Sequence, residues 1–187
     1  MSSAQIVILL VVIAAVVVAA LVFMLARKRR SQNLREQFGP EYDRVVQKEG
    51  DVHKGERLLE FREKHRKTLN IRPLSADEQT RFSARWNEVQ SQFVDNPSAA
   101  VAVADELIME VMQARGYPIN DFTQRAADIS VDHPVVVENY RAAHEIAQRR
   151  SHGQAGTEDL RQAMVHYRAL FSELLEQKQP QPVRKEA

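Results

Sequence analysis

Asp128, Asp132, His133, His144 and His166 are the side chains of this sequence whose types could do chemistry together. A carboxylate and two imidazoles can hold a divalent metal ion. Asp128, Asp132 and His133 lie close along the chain, and His144, Glu138 and His166 can approach from neighbouring helices. The expectation they raise is a metal- or small-ligand-binding helical enzyme. A structural role competes with it. Asp132 is placed to cap a helix, His133 precedes Pro134, and His144 falls on an apolar stripe where one buried hydrogen bond would satisfy it.

Several familiar chemistries are absent from the sequence. Di-iron and di-manganese bundles use a Glu three residues before a His, twice. Here the residues in that position are Gly50, Arg62, Ser130, Arg141, Arg149 and Ala163, none of them acidic. There is no His-Glu-x-x-His and no Gly-x-Ser-x-Gly. Gly153-Gln154-Ala155-Gly156 lacks the lysine of a phosphate loop and reads as a turn between helices. With no cysteine, disulfides, Cys-ligated zinc, iron–sulfur clusters and thiol nucleophiles are excluded. No cofactor is expected, and no catalytic residue is assigned.

The elements that would position these residues are helices. Tyr42, Val45 and Val46 mark a short helix after the Phe38-Gly39-Pro40 break. Asp51 is placed to cap the next one. That helix has a weak apolar face of Val52, Leu58, Leu59, Phe61 and Leu69 among many cations, and it reads as a link or lever that is mostly solvated or packs by one narrow stripe, ending at Arg72-Pro73. Ser75 with Glu78 forms a capping box, and Phe82, Trp86, Val89 and Phe93 follow as one stripe. Asn96-Pro97 opens a helix with a wide apolar face, Ala100, Val101, Ala104, Leu107, Ile108, Val111 and Met112, closed by Gly116 and Pro118. A short helix is expected over 121–129. Asp132-His133-Pro134 is expected to start another, bearing Tyr140 and Ala143. Thr157 is expected to cap the last, lined by Leu160, Met164, Tyr167, Phe171 and Leu174. Polar residues 177–187, with two prolines, should be disordered.

One segment belongs to no bundle. Residues 6–26 carry no charge, proline or glycine and are apolar on every helical face. At ~1.5 Å per residue they span about 31 Å, the thickness of a bilayer's hydrocarbon core. The segment is too long for a signal-peptide core, and Phe23-Met24-Leu25-Ala26 offers no small-residue cleavage site. Arg27, Lys28, Arg29 and Arg30 follow at once, with no cation before the span. That bias places the N-terminus outside and the bulk of the chain in the cytoplasm. The four cations are also the residues expected to touch lipid headgroups. Setting them aside lowers the net charge from +1 to −3, so the remainder is not a basic nucleic-acid binder.

Arg81-Phe82 with Trp86, Val89-Gln90, Phe93-Val94-Asp95 and Pro97 form one recognisable series. Arg115-Gly116-Tyr117-Pro118, Asp121-Phe122, Ser130-Val131-Asp132-His133-Pro134 and 159–167 continue it. Together they resemble a family of bacterial single-pass membrane proteins of uncharacterised activity. That resemblance implies a bacterial protein of the inner membrane and supplies no functional residues. The architecture expected is all-α: an extracytoplasmic N-terminus over 1–4, a transmembrane helix over 5–26, basic and charged linker helices over 27–72, and an antiparallel helical bundle over 73–176. The function expected is an interaction or scaffold module, held by membrane lipid through its span and engaging a protein partner.

Overall fold

The computed structural model describes residues 3–176, with side chains described from Val12 onward. Residues 177–187, expected to be disordered, and the start of the expected extracytoplasmic N-terminus lie outside the described residues. Eight helices are described: α1 (Ser3–Phe38), α2 (Pro40–Glu49), α3 (Val52–Thr68), α4 (Ala76–Asp95), α5 (Pro97–Arg115), α6 (Phe122–Asp132), α7 (Val137–Ser151) and α8 (Thr157–Leu175). Among the described residues there is no strand, so the all-α expectation holds.

The helix boundaries follow local chemistry. Gly39 takes a φ of 46° between α1 and α2, and Pro40 then supplies the first residue of α2 without needing an N–H partner. The Asp51 carboxylate accepts from the Lys54 N–H at 2.8 Å. Ser75 and Glu78 close a reciprocal capping box. Asn96 accepts from the Ala99 N–H, with Pro97 beginning α5. At Gly116, φ is 94° and a Cβ would stand 2.3 Å from the Asn70 carbonyl oxygen, so conformation and space both require glycine.

Two expected caps are corrected. Asp132 ends α6 rather than opening α7, because its carboxylate is drawn to Arg66 and to Tyr117, whose hydroxyl donates at 2.7 Å. α7 begins five residues later, with no side-chain cap. At α8 the cap position is Gly156, not Thr157. Only half of a capping box forms there, with Asp159 accepting from the Gly156 N–H at 2.9 Å.

The main core is built by α4, α5, α7 and α8, with α6 closing one end. Helix α5 lies at its centre, with Ala100, Val101, Ala104, Leu107, Ile108, Val111 and Met112 fully buried. Trp86 stacks on Phe171 with ring centroids 4.7 Å apart, joining α4 to α8. Burial on the order of 1.5–3 kcal/mol per large side chain makes this helical bundle the dominant source of stability.

A second, smaller core gathers Leu34 and Phe38 from α1, Tyr42 and Val45 from α2, Leu59 from α3 and Val131 from α6. Of the two expectations for α3, solvated or packed by one narrow stripe, the second holds: Leu59 is buried and Leu58 packs beside it. Gly55 makes the crossing with α2 possible: a Cβ there would lie 2.9 Å from a Val46 methyl and 3.0 Å from the Val46 Cα. Val52 and Phe61 of the expected stripe stay exposed.

Upstream of this core α1 projects from the fold, tied to α3 by Arg30–Glu60 and Arg27–His53. Its apolar side chains from Val12 to Leu25 are half exposed or more wherever they are large. Among the described residues no helix is long and apolar enough to cross a membrane. The described side chains cover only about 22 Å of apolar helix before Arg27. The opening part of the expected span, residues 6–11, lies outside the described side chains.

Candidate functional site

Among the described residues, the most heavily bonded carboxylate is one that sequence reading did not single out. Glu41, in the first turn of α2, has zero exposure. Its carboxylate receives five hydrogen bonds from three arginines. Arg44 donates from Nε at 2.8 Å and from Nη2 at 2.9 Å. Arg141, on α7, donates from Nη1 at 2.8 Å and Nη2 at 2.9 Å. Arg62, on α3, donates from Nη1 at 2.6 Å and also reaches Ser130 Oγ at 3.1 Å. Glu138 completes the group by pairing with Arg141 at 2.6 Å and Arg44 at 3.2 Å.

Three helices, α2, α3 and α7, thus meet on one carboxylate, and Arg62 carries the group on to Ser130 of α6. Burial by itself would push the Glu41 carboxyl up. The hydrogen bonds from Arg44, Arg141 and Arg62 overcome that and hold it down at about 2. Burial acts on Arg62 in the opposite sense, lowering its pKa against the attraction of Glu41. Two forked arginine pairs on one carboxylate fix direction as well as charge, so the group sets how α2 and α3 sit against α6 and α7. Arg66 to Asp132 adds a second tie between α3 and α6. Sequence gave one faint signal for this network: Glu41 stands three residues before Arg44, an ordinary helical pair. Its partners at 62 and 141 are visible only once the chain is folded.

The five residues expected to form a ligand site are each engaged separately. Asp128 is almost fully buried and accepts from Gln124 at 2.7 Å, with His65 Nε2 3.7 Å away. Burial raises its pKa, and its Oδ2 has no hydrogen-bond partner. Asp132 serves Arg66 and Tyr117. His133 is buried between Glu173, 3.1 Å from Nδ1, and Arg115, 3.4 Å from Nε2. Because Arg115 can only donate, Nε2 accepts and Nδ1–H donates to Glu173, which describes a neutral imidazole. Burial lowers the His133 pKa, and the Arg115 charge adds to that against the hydrogen bond to Glu173. His144 stacks on Phe122 with centroids 3.6 Å apart and lies 3.1 Å from Gln148 Nε2. His166 bonds Asn139 at 2.8 Å. Among the described residues no group of three metal-ligating side chains is disposed to hold an ion.

The basic residues after the apolar stretch divide by helix face. Arg30 pairs with Glu60 of α3. Arg27 reaches the ring of His53, and with Lys28 it lines a groove between α1 and α3. Arg29 lines neither.

Fold and site together define an all-helical bundle with an N-terminal three-helix unit docked on it through buried charge. No family model, no curated protein and no solved structure matches this chain.

Proposed function

We propose that this protein is a membrane-tethered interaction or scaffold module: an antiparallel helical bundle held at the cytoplasmic face of a bacterial inner membrane by residues 6–26. The observation that carries this reading is the division of labour along α1. One unbroken helix presents large apolar side chains to the surroundings from Val12 to Leu25, then buries Leu34 and Phe38 in the second core. Exposed apolar surface of that extent needs lipid or a protein to cover it. The basic residues that follow it at once favour lipid, with the bundle on the cytoplasmic side.

The tether and the bundle are then one mechanical piece. Helix α1 passes directly into the unit that Glu41 ties to α7, so a partner bound to the bundle is held at a defined orientation to the bilayer. The partner is expected to be a protein. Carbonate washing of membranes from cells expressing the full chain should leave it in the membrane fraction, and a fluorescent-protein fusion at the C-terminus should be bright. Release by carbonate would sink the tether. A C-terminal alkaline phosphatase fusion that is active, with a dark fluorescent one, would invert the orientation.

A further inference from the structure

The groove between the end of the apolar stretch and the start of α3 has more built into it than a topology signal requires. It has a volume of about 420 Å³ and is lined by Met24, Arg27, Lys28, Arg35, His53 and Glu56, among others. Met24, Arg27 or Lys28, Ser31 and Arg35 succeed one another at helical spacing, so a single face of α1 forms one wall. The first turns of α3 form the other.

The groove is lined by three cations, Arg27, Lys28 and Arg35, against one acid. Among the described residues no carboxylate forms an ion pair with Arg27, Lys28 or Arg35. Glu56 is the one acid on the lining, and it accepts the Tyr42 hydroxyl at 2.8 Å. Arg27 directs its guanidinium onto the His53 ring. Arg35 lies over the Tyr42 ring, 4.8 Å from its centroid, which orients the guanidinium without neutralising it.

The position of the groove says which anion fits. From residue 26 to Ser31 the helix descends about 7 Å, and the headgroup layer on one side of a bilayer is about 5–7 Å deep. Met24 and the exposed Val52 stand at the apolar mouth. The cations lie directly below. We propose that this groove binds the headgroup of one anionic phospholipid, its phosphate held by Arg27 and Lys28 and its acyl chains lying along the exposed face of α1. Binding would fix the rotation of the anchor relative to α3 as well as its depth. This inference rests on the membrane tether proposed above.

The test uses the full chain in nanodiscs of phosphatidylcholine mixed with phosphatidylglycerol, with retained lipid counted by native mass spectrometry after release. The wild type should retain one phosphatidylglycerol in preference to phosphatidylcholine. Arg27→Gln and Lys28→Gln should each lower that retention about fivefold. Arg29→Gln, outside the groove, should lower it clearly less than either. Equal losses from Arg29→Gln and Arg27→Gln would overturn the site in favour of a diffuse basic surface. Displacement by soluble glycerol phosphate at similar concentration would overturn the lipid assignment in favour of a free anion. Incorporation into the discs with no preference for phosphatidylglycerol would remove the groove alone. Failure to enter the discs, together with carbonate release, would remove the tether and the groove together.

Discussion

The core around α5 and the core under α2 bury their residues by different means. Around α5 the seven apolar side chains from Ala100 to Met112 need no polar partner, and neighbouring helices close over them. Under α2 a handful of apolar groups is sealed by a carboxylate and three arginines. Apolar packing tolerates small displacements, because dispersion and burial have no direction. A forked arginine–carboxylate pair does not tolerate them, and it costs several kcal/mol when one partner is missing. The bundle is thus the source of stability, and the smaller core is the source of fixed geometry between α1 and the bundle.

The largest effect should come from breaking that geometry. Glu41→Ala leaves Arg44, Arg62 and Arg141 facing one another, at a cost of about 3–5 kcal/mol. Amide exchange should rise across α2 and α3 while α5 and α8 keep their protection. Uniform exchange throughout would show that the two cores unfold as one unit. Ile108→Ala should cost about 2–5 kcal/mol in chemical denaturation, spread over the whole bundle rather than confined to its N-terminal side.

Acid should act on the two regions in sequence. The His133 pKa is lowered in the fold, so the unfolded chain binds more protons below about 6.5, and stability falls as pH drops through that range. The Glu41 carboxyl is held at about 2 against an ordinary value of 4.5, so its contribution is complete above 4.5 and is lost as pH falls from there toward 2. Melting followed against pH should therefore decline in two steps, and Glu41→Gln should shrink the lower one, to which Glu78 and Glu158 also contribute. The smallest effect is expected at the surface. Arg85, paired with Glu110 in the open, should change stability by less than about 1 kcal/mol on replacement by alanine.

The difference between the cores is also the difference between what could and could not be read beforehand. The Phe82, Trp86 and Val89 stripe, the wide face of α5, the Ser75–Glu78 box and the Asn96-Pro97 start were all legible, because each depends on residues within a turn or two of one another. Asp132 misled because a carboxylate before proline is a good cap only until a stronger partner arrives, and Arg66 and Tyr117 come from outside its neighbourhood in sequence. The candidate ligand residues are parted by the same long-range packing: Asp128, His133, His144 and His166 each engage a different neighbour, with Asp128 Oδ2 and His144 Nδ1 left without a hydrogen-bond partner.

The order of the helices, the stripes that make the bundle, and the separation of an apolar run from a charged remainder were determined by the sequence alone, since helical periodicity and burial are properties of short windows. That Arg62 and Arg141 meet Glu41, which helices α3 docks against, and that Arg27 and Lys28 share a groove with His53 were decided only by the tertiary structure. Those pairings join residues from tens of positions to a hundred apart, and hydrogen bonds of such directionality exist only after the packing of the helices has set their distances.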